Sequence, residues 1–213
     1  MNALVTVEQV IDFFIHRMIE INPQYLDPSY FDYGFYKTTC TALYLAYYAY
    51  VWYLGLRGER LFEAKITLNF FEFNINGALE RLIENGMTEE NPPINFTLNN
   101  NKFPNQIDDF LNNIWDCYGC YIWATDLNYM HQREAQWIRN KHGLWWDENK
   151  EYFKMTIDDS LIKSFYSYDN KEISGYLPEN VELGLNKNGL YIIYRVNKAG
   201  SKNVHNIQNL LKD

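Results

Sequence analysis

From Ala42 to Leu54, inside TALYLAYYAYVWYLGL, the chain carries no charged side chain, and few folds can accommodate such a stretch. As a helix it spans about 20 Å, short of the roughly 30 Å hydrocarbon core of a bilayer, so a membrane span is not expected. It has no polar face to turn to water and must be surrounded by other elements. The pattern predicts a central helix that opens near Thr39 or Thr41 and closes at Gly55 and Gly58. Ala42, Ala46 and Ala49 form a small-residue strip where a second helix can approach. Tyr44, Tyr47, Tyr48, Tyr50 and Tyr53 point in several directions from it, so some phenols must be interior, and each of those needs a hydrogen-bond partner. Tyr47 and Tyr48 are the candidates for a polar aromatic pocket. The competing expectation is core filling, with the hydroxyls bonded to nearby backbone.

The elements that would surround this helix are expected to be helical as far as residue 145. Thr6 and Gln9 stand at capping-box spacing ahead of Val7, Val10, Ile11, Phe14, Met18 and Ile21, which recur at helical intervals until Asn22-Pro23. An aromatic loop follows from Pro23 to Lys37. Leu61, Ala64, Leu68, Phe71, Ile75, Ala78 and Leu82 alternate spacings of three and four and predict a long third helix ending at Asn85-Gly86. After a polar, proline-bearing connection, a fourth helical region is expected from Gln106 to about Lys141, with Ile107, Phe110, Leu111, Ile114, Tyr118 and Tyr129 on its inner face. Beyond His142-Gly143 the text turns β-rich: YFKMTI at Tyr152–Ile157, then Val181–Leu185 and Leu190–Val196 as a hairpin around Asn188-Gly189. A short helix is expected at Val204–Leu211. The fold class is therefore α+β, mainly α: a helical bundle-like body over residues 1–145 and a small C-terminal antiparallel β element over 146–213, packed as one compact unit.

Of 213 residues, 47% are hydrophobic and 17% aromatic, enough to fill one core rather than remain disordered. A formal net charge of -8 leaves no surplus of cations for a phosphate backbone, which argues against nucleic-acid binding and is compatible with a basic protein partner. The N-terminal text MNALVTVEQVIDFF lacks the basic and apolar regions of a signal peptide. With three cysteines, an odd number, that absence points to reduced thiols and a cytoplasmic setting.

Cys117 and Cys120, in IWDCYGCYIW, have CxxC spacing. The residues before them repeat at helical intervals, so Cys117 falls inside a helix, where the dipole gives a thiolate little help and Asp116 opposes it; inert thiols are expected. Cys117, Cys120, His131 and His142 add up to a zinc-like set. Cys120 and His131 would, however, lie about 16 Å apart along one helix, while zinc ligands sit within roughly 4 Å of each other. No metal and no cofactor is expected. Phosphate-binding and nucleophile-elbow motifs are also missing.

One charged constellation remains, His131, Arg133, Glu134, Arg139 and His142. His131 and Glu134 share a helix face at i, i+3, the spacing at which a carboxylate can orient an imidazole as general base. A solvated helix end is the plainer expectation, with Arg139, Lys141 and His142 complementing the dipole. Trp145 and Trp146 follow, and adjacent tryptophans suit a binding surface. The reading that results is a non-catalytic soluble binding protein of inhibitor or immunity type that occludes a protein partner, with Trp145, Trp146, Tyr47 and Tyr48 as binding residues. The alternative is a small hydrolase or nuclease using His131, Glu134, Arg139 and His142. An enzyme should show a cleft where these residues meet tyrosines or carboxylates of another helix; a binder should show an exposed acidic or aromatic patch.

Overall fold

The computed structural model describes residues 4–21, 34–68, 73–75, 103–119, 124–141, 155–186 and 189–196. Helix α1, Val7–Ile21, opens with the expected capping box: the Thr6 N–H donates to Gln9 Oε1 at 2.8 Å, and the Gln9 N–H donates to Thr6 Oγ1 at 3.3 Å. Two otherwise orphaned donors are thereby satisfied. Val7, Val10, Ile11, Phe14, Ile15 and Met18 are its buried face.

Helix α2, Gly34–Arg57, is the central element; it begins earlier than the Thr39 expected and is enclosed on all sides from Thr41 to Trp52. Gly58 ends it in the left-handed region at φ +73°, donating its N–H to Leu54 O at 2.9 Å, a conformation that costs glycine nothing. Gly55 is not a terminator but a contact point, since a Cβ there would lie 2.4 Å from Tyr166 O.

The long third helix is not formed. In its place lie β1, Ile66–Leu68, and β2, Phe73–Ile75. They join β3, Met155–Ile157, in an antiparallel sheet of order β2-β1-β3. The same letters carry a second period: Ile66 with Leu68, and Phe71, Phe73 and Ile75, alternate at two, and the interleaved Thr67, Asn69, Asn74 and Asn76 are poor helix formers. Register decides in favour of the strands. Ile66 pairs with both Ile75 and Ile157, and all three are buried, forming an aliphatic row across the sheet. Leu61 and Phe62 still reach the core, from an irregular segment, with the Val5 N–H donating to Leu61 O. Phe71 and residues 76–86 lie outside the described residues.

The fourth helical region is two helices. Helix α3, Asn105–Tyr118, stops at Gly119, whose N–H donates to Trp115 O at 2.7 Å, and helix α4 runs from Ala124 to Lys141. Ile107, Phe110, Leu111, Ile114, Cys117 and Tyr118 are the buried face of α3. Cys117 is thus within a helix, as the spacing suggested, but in its last turn rather than its interior; Cys120 is outside the described residues.

A short helix unmarked in the sequence reading, α5, Asp159–Phe165, follows β3. Its cap is Asp158, whose carboxylate accepts from the Leu161 N–H at 2.9 Å, and Arg60 Nε donates to its Asp159 at 2.8 Å. A 3-10 turn, Ile173–Gly175, leads to the expected hairpin, β4, Val181–Leu185, and β5, Tyr191–Arg195, paired from Val181↔Arg195 to Leu185↔Tyr191. The turn closes with the Asn186 N–H on Leu190 O and Gly189 at φ +73°. The protein is α+β, mainly α. Helix α2 packs against α1, α3, α4 and α5, while β5 lies on α3 and takes a hydrogen bond at Tyr191 O from Arg57 at 2.6 Å. Because β3 and α5 sit against β1 and α2, the chain beyond residue 146 contributes to the same core as the helical body. The expected terminal helix, Val204–Leu211, lies outside the described residues. Among those residues, no helix is long and apolar enough to cross a membrane.

Candidate functional site

Helix α4 places His131 and Glu134 one turn apart, and both face α2 rather than water: His131 is 0% and Glu134 2% exposed. His131 and Glu134 are therefore not on a solvated face, while Lys141 at the helix end is exposed. Tyr44, Tyr47 and Tyr48 of α2 surround the imidazole, with ring centroids 5.2, 4.5 and 6.4 Å from it. Tyr166, the residue that closes α5, donates its hydroxyl to Glu134 Oε2 at 2.6 Å, and the Tyr47 hydroxyl lies 3.1 Å from that of Tyr166. With the Tyr166 proton given to the carboxyl, Tyr47 is the donor to Tyr166. A chain Tyr47 to Tyr166 to Glu134 therefore joins three helices, each hydrogen bond polarising the next.

A second layer lies behind it. Tyr118 of α3 stacks on Tyr48 at 4.1 Å and 13°, accepts from Trp52 Nε1 at 2.7 Å, and Trp52 meets Tyr166 edge-on at 5.0 Å. Tyr48 turns its hydroxyl toward the Glu134 carboxyl without closing a hydrogen bond.

Burial governs the charge state. It raises the Glu134 carboxyl to about 8, against the opposing pull of Tyr166, Tyr48 and the Arg133 charge. It also pushes the His131 imidazole well below its ordinary range. The phenols of Tyr47, Tyr48, Tyr118 and Tyr166 are pushed up, first by burial and then by Glu134. Every one of these shifts favours the neutral form, the cheaper state for polar groups removed from water. Arg133 is turned outward, donating to Gly175 O at 2.7 Å and lying over the Tyr176 ring at 5.5 Å.

Residues predicted as two separate features, the His131–Glu134 pair and the Tyr47–Tyr48 pair, thus form one cluster. Arg139 lies on α4, but its side chain, like His142, Trp145 and Trp146, is outside the described residues. Tyr166 and Trp52 were not anticipated as partners. The available signal for Tyr166 was Asp158 followed by Leu161, Ile162 and Phe165 at helical spacing, a capped apolar turn that delivers the next residue inward. Among the described residues, no three His, Cys, Asp or Glu side chains are grouped to hold a metal ion.

The outer surface differs. Tyr168 stacks on Tyr191 of the hairpin at 4.2 Å, Leu185 and Leu190 flank the turn with about half their surface in water, and the Tyr194 hydroxyl donates to Glu182. Comparison with protein-family models, with curated proteins and with solved structures finds no match to this chain.

Proposed function

We propose that this chain is a non-catalytic cytoplasmic binding protein that occludes a protein partner, in the manner of inhibitors and immunity proteins. The observation that carries the reading is the enclosure of His131 and Glu134. Neither side chain can touch a substrate without α4 moving, whereas Tyr168, stacked on the half-buried Tyr191, and Leu185 and Leu190 of the hairpin are already in water. Tyrosine beside aliphatic surface is the usual make-up of an interface anchor. A net charge of -8 favours a basic partner by steering its approach.

The test is capture with the tagged chain from its native host, identification by mass spectrometry, and reconstitution of the pair from purified components. A single basic protein whose association slows as salt rises, and which is lost with Tyr168→Ala and Leu185→Asp, is the expected result. Association unchanged by those substitutions would move the interface elsewhere. Failure to reconstitute any pair would reject the reading.

A second reading, a small hydrolase or nuclease working through His131, Glu134 and His142, draws on one observation. A carboxyl held near neutrality by burial among tyrosines is the kind of perturbed group that general acid–base catalysis uses. Turnover of model esters or phosphodiesters that Glu134→Gln abolishes would favour it over occlusion.

A further inference from the structure

Glu134 stands where α4 meets α2 and the end of α5, and among the described residues the groups that face it from other elements are phenols. Tyr47 and Tyr48 face it from α2, Tyr118 from α3, Tyr166 from the end of α5, and Tyr176 from the segment after the 3-10 turn. On its own helix, His131 is enclosed and neutral, and the guanidinium of Arg133 is bound outward to Gly175 O. We propose that the Glu134 carboxyl is a proton-operated latch: protonated, it holds α4 against α2 and Tyr166, and on losing its proton to solvent it loosens α4 from both. The inference is independent of what the protein binds.

The argument is one of compensation. A neutral carboxyl carries no charge to be compensated, and Tyr166 donates one hydrogen bond to its Oε2, itself backed by Tyr47. An ionised one needs a cation or water. The phenols around it are donors but carry no positive charge, and burial holds each of them in its neutral form. Opening α4 toward solvent is the remaining route to hydration. The sign follows from linkage. The carboxyl titrates at an ordinary 4.5 when open and at about 8 when closed. The closed state therefore has its full advantage below pH 4.5, loses it progressively as pH rises, and has lost it once pH passes about 8. Between those limits the opening equilibrium increases up to tenfold per pH unit.

Hydrogen exchange of the intact chain, corrected for the intrinsic pH dependence of exchange, reads this directly. Amides of α4 should lose protection by about an order of magnitude per unit between pH 6 and 8 while those of α1 lose markedly less, and Glu134→Gln should abolish the excess. Parallel loss in α1 and α4, or the same slope in Glu134→Gln, would overturn the latch. Should that variant not fold, infrared spectra of the wild-type protein in D₂O decide the question. A protonated-carboxyl band present at pH 6 and titrating away near pH 8 supports it, and absence of that band at pH 6 rejects it.

Discussion

Helix α2 is held on two sides by different chemistry. Toward α1 it meets a helix whose buried face is Val7, Val10, Ile11, Phe14, Ile15 and Met18, all hydrocarbon or thioether. Toward α4 it meets His131 and Glu134 through Tyr44, Tyr47 and Tyr48. The first seam is satisfied by contact alone, and its strength scales with the apolar area removed from water. The second requires each polar group to be matched, and its strength depends on one proton. The lesson is that a helix buried all round need not be gripped evenly: one side rests mainly on apolar contact, the other on the protonation of a buried acid.

The largest expected effect separates the two sides by pH. Urea melts of the wild-type protein should show stability falling as pH rises from 4.5 toward about 8 and levelling beyond it. At about 1.4 kcal/mol per unit, the upper bound is about 5 kcal/mol. A flat profile would mean that the polar seam is no more conditional than the apolar one. Next comes Phe14→Ala, at a fully buried position of the apolar seam, which should cost about 3 to 5 kcal/mol. That loss should be equal at pH 5 and pH 8, and an unequal loss would show the seams to be coupled. Tyr166→Phe removes the donor to Glu134 and the acceptor of Tyr47, and should cost about 1 to 3 kcal/mol with a changed pH slope. The smallest is Thr6→Ala, which dissolves the capping box of α1 for about 1 kcal/mol in the same melts, with the slope intact.

Much of this comparison could be read from the letters. The Thr6 cap, the all-round burial of α2 and the strands of the hairpin follow from patterns that have one physical solution. The segment from Leu61 to Ile75 has two, because its apolar residues satisfy both a helical and an alternating period. What chooses between them is the pairing of Ile66 with Ile157, a partner far along the chain that no local pattern reveals. The site was legible by halves for a related reason. Helical spacing shows that His131 and Glu134 share a face, and composition shows that α2 is rich in phenols. Neither shows that the two faces meet, and Tyr166 arrives from a helix of 7 residues, too short to stand out by periodicity.

The placement of Tyr166 and Ile157 also has a consequence for the order in which the chain can become itself. On a ribosome, α1, α2 and α4 are all made before either residue exists, so β1 emerges without its partner β3, and Glu134 waits among tyrosines for the hydroxyl that will bond it. Synthesis proceeds at about 5 to 20 residues per second. Glu134 is thus made a second or more before Tyr166, and the polar seam can close only once residue 166 has been added.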